Sequence, residues 1–536
     1  MTQARSSTPA PYLVPSDRPW FRYWPEGVPR HIDYPPQPLP YLLESSAERF
    51  GSKTAFKTPD SSITYSRLKQ DSDRFATSLR ALGMEKGDRL LLLLPNTIEF
   101  VVSFYGALKA GCVLATVNHL AKRDEIARVL GEIDPRAAVI SSGLGSDEVS
   151  VLKASGLKIL AAGSSCPRDI ISFSQFVSGA PGSLSAPGKT DAPAVIQYTG
   201  STTGAPKPVV MSNRNLLANA VQNAAWFSWD NRTTVIGVLP LCHTWGCSCC
   251  MNSPIHAGAT TILLERFEPE VVLQTIERER ATVLYGSATM FSLLLAHPGL
   301  EEFDLSSLRF AKAGAMPVPI ELKRRWDRKT GVEMTLGYGL TEASPETHDC
   351  PPGRTKPGTI GIPIVDTDAR VVDLGTGKDV PAGRSGELLV RGPQVTSLGY
   401  LNDPEGTAKI LGDSWLRTGD IAVMDTEGYF TLIDRKKDII KCKGNTIYPV
   451  ELEEVLYGHP AVKECAVVGK RHPEYGEIPK AFVVPEDGAE LTPGDIVSFC
   501  EGRVSPPKRI REAEIVSQIP KTHVGKVLRR KLRGTE

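Results

Sequence analysis

No stretch of this 536-residue sequence is apolar for long enough to cross a bilayer. The richest part, Leu90 to Leu94 and then Phe100 to Val117, is broken by Pro95, Asn96, Glu99, Lys109 and Gly111, so no integral membrane segment is expected. Net charge is also lacking: 62 Lys and Arg against 61 Asp and Glu give a formal +1, which matches neither nucleic acid nor an anionic membrane surface. The ten cysteines have no regular spacing and no paired CxxC. That fits reduced thiols in a cytoplasmic protein better than a disulfide framework. Four of them, Cys242, Cys247, Cys249 and Cys250, crowd into LCHTWGCSCC, but without a second ligand knot they read as small core hydrophobes and not as zinc ligands. HExxH is missing, and GCSCC lacks the closing glycine of GxSxG, which disfavours the common hydrolases. No repeat of roughly 20 to 50 residues is visible, and the first twenty residues have no apolar core of a signal peptide. Small-molecule chemistry is what remains.

The length suggests about three or four packing units. Hydrophobic content of 41% with 23% charge is that of a chain that folds without a partner. Residues 11 to 40, rich in Pro and aromatics, read as an extended arm on the body. From Leu42 onward helical and strand patterns alternate: strand Arg89 to Leu94, helix Glu99 to Ala110, helix Arg123 to Ile133, strand Ala137 to Ser141, helix Leu216 to Phe227, strand Thr234 to Pro240, helix Pro269 to Arg280, strand Ala281 to Gly286. This rhythm predicts βαβ units and a mainly parallel sheet. Ser178 to Pro193 is a linker by composition. After about Gly358 short alternating runs predict antiparallel β-structure, and a small α/β piece with a basic tail closes the chain from about Lys436.

The stretch Tyr198 to Val210, YTGSTTGAPKPVV, sets glycines, hydroxyls and Lys207 between two apolar runs. Such a loop suits a polyphosphate, because backbone N–H groups converge and a lysine adds charge. An ordinary polar turn has the same composition. A P-loop it is not: Gly200 and Gly204 are too close, prolines flank the lysine, and a strand follows. Strand, loop, strand predicts a flap over phosphates, with the next helix starting near Ser212, a good N-cap.

Further stretches add to it. Gly337 to Glu342, GYGLTE, offers flexible backbone at Gly337 and Gly339, a ring at Tyr338, the Thr341 hydroxyl and the Glu342 carboxylate, as an adenine site with adjacent magnesium needs; it lacks the GxGxxG of a dinucleotide fold. WLRTGD puts Asp420 in a turn where it can accept from ribose hydroxyls. DRKKDIIKCK is a basic run that by itself is a solvated face, and KTHVGKVLRR places Lys526 beside Gly525.

Together and in this order, these motifs resemble the adenylate-forming superfamily of acyl- and aryl-CoA ligases, firefly-type luciferases and peptide-synthetase adenylation domains, over about Trp20 to Arg533. WFRYWPEGVPRHIDYPP, MNSPIHAGATTILL and GLTEASPETH are most similar to bacterial medium- and long-chain fatty acyl-CoA ligases. The resemblance implies an α/β fold: a large N-terminal domain, residues 1–434, of parallel-type sheets and helices with a small β-barrel-like subdomain, then a small mobile α+β domain, 435–536, hinged near Lys437. It implies ATP, Mg2+ and coenzyme A as reactants, with a carboxylic acid activated as its acyl adenylate and passed to the CoA thiol. It implies no nucleic-acid partner, and a monomer or homodimer. An adenylating ligase that passes the acyl group to an amine or a carrier-protein thiol shares every ATP motif.

By the same resemblance Thr199, Ser201, Thr202, Thr203 and Lys207 hold the β and γ phosphates, Thr341 touches the α-phosphate and Glu342 binds magnesium. Gly314 and Ala315 border the acyl and adenine sites, and Tyr338, between Gly337 and Gly339, stacks on adenine. Asp420 takes the ribose hydroxyls with Arg435; Lys526 bridges carboxylate and α-phosphate; Lys441 to Gly444 reaches the pantetheine tunnel, which His243 gates. The family pattern is departed from at Pro208, where glycine is usual, at Ser212, where threonine is, and at the CSCC after His243, so a straight-chain fatty acid is not implied. A catalytically silent nucleotide-binding regulator would lose Lys526 or Glu342, and both are present.

Overall fold

Runs such as RLLLL (Arg89–Leu93) and AAVIS (Ala137–Ser141) are apolar without alternation, the pattern of strands covered on both faces. In the computed structural model, which describes residues 17–163, 169–179, 188–199, 206–443, 445–521 and 527–533, both lie in a seven-stranded sheet. Its order is Ile171–Ser172, Lys158–Ala162, Ala137–Ser141, Arg89–Leu93, Val113–Thr116, Pro193–Tyr198 and Pro208–Ser212. All neighbours are parallel except the last pair, the two strands that flank the glycine-rich loop.

A nine-stranded sheet is parallel from Met334–Gly339 through Phe310–Ala313, Val283–Gly286, Thr234–Gly237 and Thr260–Leu263 to Thr54–Lys57. Antiparallel strands close both of its edges, Glu346–Asp349 with Ile362–Pro363 at one and Ser62–Thr64 at the other. The expected βαβ rhythm is therefore present in both sheets.

Helices follow their apolar stripes. In Arg123–Ile133 the residues Ile126, Val129 and Ile133 are buried, Asp124 and Glu125 sit in the first turn where the helix dipole favours anions, and Asp134 ends it in the left-handed region at φ 48°. Burying three such side chains contributes roughly 2 kcal/mol each. Helix Asn213–Trp226 starts three residues before the apolar pattern, because Ser212 and Asn215 form a capping box. Its Asn and Gln side chains are buried yet bonded: Asn215 donates to the Pro393 and Val395 carbonyls, and Gln222 to that of Val365. Strand Thr234–Gly237 ends three residues short of Pro240.

The described residues cluster into two units. The first comprises 17–199, 207–368 and 390–416; the second chiefly 369–389 and 417–533. In the first, the arm is pinned by Asp366, which accepts from the Ile32 amide at 3.0 Å and the Tyr34 hydroxyl at 2.7 Å, and by the Arg18–Asp368 ion pair. Strand Trp415–Met424, in the second unit from Arg417 onward, runs antiparallel to Phe430–Arg435, which sets Asp420 opposite Arg435. It also carries a sheet ordered Asn445–Ile447, Ile440–Cys442, Gly476–Pro485 and Val462–His472, with Glu512–Ile515 parallel to Gly476–Pro485. Short antiparallel runs after Gly358 are thus where the alternating texture places them. Among the described residues no helix is long and apolar enough to cross a membrane.

Candidate active site

The exit strand of the glycine-rich loop is fixed before the loop does anything. Thr199 donates its amide to the Lys207 carbonyl at 2.9 Å and accepts the Lys207 amide on its hydroxyl at 3.0 Å. Pro208 opens the strand, the one place where a missing N–H costs no ladder bond, and its carbonyl accepts from Leu401. Ser201, Thr202, Thr203, Gly444 and Lys526 lie outside the described residues.

The segment 396–403 links strand Pro208–Ser212 to GYGLTE. Val210 donates to the Gly399 carbonyl and accepts the Thr396 hydroxyl at 2.6 Å, while the Thr396 amide donates to the Glu342 carbonyl at 2.8 Å. The Lys207 ammonium pairs with Asp403 at 2.8 Å and lies 4.5 Å from the centre of the Tyr400 ring. The Tyr400 hydroxyl donates to Glu342 Oε1 at 2.8 Å. Lysine, ring and carboxylate so form one connected group from three distant parts of the chain. Nothing in the sequence singles out Tyr400. Of Glu342, one oxygen is taken by Tyr400, and Oε2 has no partner among the described residues, a donor set that fits a magnesium ion held by one carboxylate and substrate phosphates.

The glycines of GYG serve close approach. A Cβ on Gly337 would lie 2.7 Å from Lys312 Cε and 2.8 Å from Glu346 Oε1, and one on Gly339 would strike the Pro345 carbonyl. This corrects the reading of these two positions as flexible backbone: neither has a positive φ, and packing is what demands glycine. Thr341 is buried in a short 3-10 turn, and the Tyr338 ring sits edge-on to His348 at 5.9 Å. Burial lowers the His348 imidazole to about 3, so it stays neutral. A Cβ on Gly314 would touch Trp245 at 3.2 Å and the Gly337 carbonyl at 3.6 Å, and Ala315 is held at φ 66°, a conformation costing about 1 kcal/mol or more in a non-glycine residue.

His243 caps the short helix Thr244–Cys247, its Nδ1 accepting the Trp245 amide at 3.3 Å. Its loop is clamped from two sides. Thr116 and Gln197 donate to the Cys242 carbonyl at 2.9 and 3.0 Å. Buried Asn96 donates to the Gly237, Leu239 and Leu264 carbonyls and accepts the Leu241 amide at 2.9 Å. Removing it would strand several buried groups at roughly 1–3 kcal/mol each. Sequence reasoning saw Asn96 only as an interruption of an apolar run. The three cysteines after His243, Cys247, Cys249 and Cys250, are buried, as small core hydrophobes are; burial pushes the Cys247 and Cys250 thiols up to about 12.

The second unit holds Asp420, Arg435, Lys437 and Lys441. Asp420 is buried, donates its amide to the Thr418 hydroxyl at 3.0 Å and pairs with Arg435 Nε at 2.5 Å. Lys437 is exposed in the turn closed by the Asp438 amide on the Arg435 carbonyl. Lys441 borders a cavity of about 640 Å³ with Arg471, His472 and Glu477. Beside this turn Asp434 accepts the Arg435 and Val450 amides at 2.7 and 3.2 Å. Burial pushes its carboxyl up to about 6, against the pull of Arg529.

That shift has a measurable sign. Between about pH 4 and 6 the unfolded chain loses the Asp434 proton while the folded chain keeps it, so this residue's contribution to stability falls by roughly 3 kcal/mol as pH rises through the window. Thermal unfolding of wild type and Asp434→Asn across pH 4 to 7 checks it: the difference between the two should change with pH there, and a constant difference would contradict the shift.

Residues 43–401 match the AMP-binding enzyme family and residues 451–526 the AMP-binding enzyme C-terminal domain. The chain belongs to the AMP-binding enzyme family. This AMP-binding enzyme is 36% identical over 548 residues to a long-chain-fatty-acid–CoA ligase of Bacillus subtilis (strain 168), covering 96% of this chain and 98% of that one. It is 33% identical over 483 residues to a feruloyl-CoA synthase of Amycolatopsis sp, covering 90% and 95%. In structure it is similar to ATP-bound MatB from Rhodopseudomonas palustris, with a TM-score of 0.86, 28% identity and coverage of 93% and 99%.

Proposed function

We propose that the residues gathered here make the chain an AMP-forming acyl-CoA synthetase. An oxygen of the substrate carboxylate attacks the α-phosphorus of ATP, a P–O bond to pyrophosphate breaks, and the acyl adenylate forms. The CoA thiol, losing its proton, then attacks the acyl carbon, and AMP leaves with the C–O bonding pair. The connected group Lys207, Tyr400 and Glu342 is the observation that carries this reading, because it holds a cation and a carboxylate about one ring, the two charges that a polyphosphate with magnesium calls for.

In this reading Thr199, Ser201, Thr202, Thr203 and Lys207 hold the β and γ phosphates, and Thr341 the α-phosphate. Glu342 holds magnesium, which would neutralise phosphate charge. Tyr338 packs on adenine, Gly314 and Ala315 shape the border with the acyl chain, and Asp420 with Arg435 takes the ribose. Lys526 stabilises charge on the oxygens flanking phosphorus during in-line displacement. The hinge is Lys437, near a domain boundary at 434, and rotation there would exchange Lys526 for Lys441 and Gly444 between the two steps, with His243 gating the thiol's path. A hinge at a solvent-exposed turn residue is supported by the exposure of Lys437. We place the enzyme in a reducing, cytoplasmic compartment, which suits nine free thiols among the described residues. Its acid, by the two relatives, has a long alkyl or an aryl-propenoic body.

Incubation with ATP, a panel of such acids and, separately, CoA, an amine or a carrier protein tests this. AMP release and a thioester mass that require CoA are expected; an amide or carrier adduct formed in place of the CoA thioester would overturn the acceptor.

A further inference from the structure

Behind Gly337 lies a charged cluster that the phosphate chemistry does not use. Lys312, on strand Phe310–Ala313, is 1% exposed and ion-paired with both Glu346 and Asp349, themselves 3% and 0% exposed. The cluster continues without a break: Thr335 donates to Asp349 at 3.3 Å, Cys249 contacts Glu346 at 3.8 Å, and Asn223 contacts Cys249 at 3.9 Å and Ser248 at 3.1 Å. The Lys312 ammonium lies 5.9 Å from the centre of the Tyr285 ring, and Tyr285 meets Trp245 edge-on at 5.9 Å. Trp245 in turn abuts Gly314, and the cluster abuts Gly337. The charges therefore back onto the stretch that borders the acyl side of the reacting centre.

Two atoms here are buried without a hydrogen-bond partner among the described residues: Asn223 Oδ1 and the Tyr285 hydroxyl. Burial, with Cys249 and Glu346 nearby, keeps that phenol protonated and able to donate. A plain alkyl terminus would leave both atoms unpaired, whereas a hydroxyl can donate to an amide oxygen or accept from a phenol. A charged terminus is disfavoured as well. Lys312, Glu346 and Asp349 already serve one another as partners, so a charge brought in by the ligand would lose its water in a buried site with no partner of its own.

We propose that the acid activated here carries a hydroxyl group at the end remote from its carboxylate, and that the cluster of Asn223, Tyr285, Lys312, Glu346 and Asp349 recognises it. This rests on the synthetase reading and narrows its substrate class. A site built on buried polar groups rejects an analogue lacking the matching hydroxyl far more strongly than an apolar pocket rejects a methylene.

The test is pyrophosphate release and thioester formation by the intact enzyme with matched acids: hexadecanoate against 16-hydroxyhexadecanoate, cinnamate against 4-hydroxycinnamate, with amino- and carboxyl-terminated chains alongside. The expected result is a kcat/KM preference of about 10²-fold or more for the hydroxylated member of at least one pair. Tyr285→Phe and Asn223→Leu should each shrink that ratio; a merely structural role would lower both acids together and leave the ratio unchanged. Equal rates within both pairs, a ratio untouched in Tyr285→Phe, or a preference for the charged termini would overturn the proposal and leave the synthetase reading standing. No activation of any acid would overturn that reading itself.

Discussion

Lys526→Ala is expected to slow acyl-adenylate formation by about 10³-fold or more while still converting a supplied acyl adenylate and CoA to thioester and AMP. The reason is where charge develops. In the first step two oxygens in line with phosphorus share negative charge, and a lysine bridging them is stronger in the transition state than in the ground state. In the second step the phosphorus bonds do not change, so the same lysine has nothing to stabilise. Pyrophosphate release measures the first step, and consumption of synthetic adenylate the second. Equal loss of both would refute the division of labour.

Glu342→Gln is expected to lower adenylate formation by about 10²- to 10³-fold and to raise the magnesium concentration that half-saturates the rate. The amide keeps the shape and can still accept from Tyr400 through its oxygen, but loses the charge a hard cation requires. Tyr400→Phe is the milder companion: it removes one 2.8 Å hydrogen bond to the carboxylate and should cost about tenfold, the scale of a hydrogen bond to a charged group. A magnesium titration of pyrophosphate release separates the two variants. If the half-saturating concentration is unmoved in Glu342→Gln, the carboxylate does not hold the ion.

Much of the fold is legible in the chain because its signals are local. The apolar stripe of Arg123–Ile133 and the unbroken run Ala137–Ser141 place those elements with their boundaries, and Ser212 announces the next helix by its own capping chemistry. The candidate site is legible only in part. Motifs such as GYGLTE carry their chemistry in adjacent letters, but Tyr400, Asn96 and Lys312 act on groups 58, 141 to 168, and 34 to 37 positions away. FAKA and ETHD look like strands with a solvent-facing face. In the fold the sheet's antiparallel edge turns those charges inward against one another, and only the pairing reveals it. The one signal open to inspection was charge inside short strands that are otherwise flanked by apolar residues.

The arginines that close the second unit come late in the order of synthesis. Arg529 binds Glu453 at 2.7 Å from 76 positions away, and Arg533 reaches fully buried Asp438 across 95. On a ribosome adding about 5–20 residues per second, those carboxylates wait roughly 5 to 20 s for their partners. Until then Asp438 cannot be buried beside Arg533, so its burial as an ion waits on the end of the chain. A chain lacking Arg529 and Arg533 would therefore leave Glu453 and Asp438 without these partners.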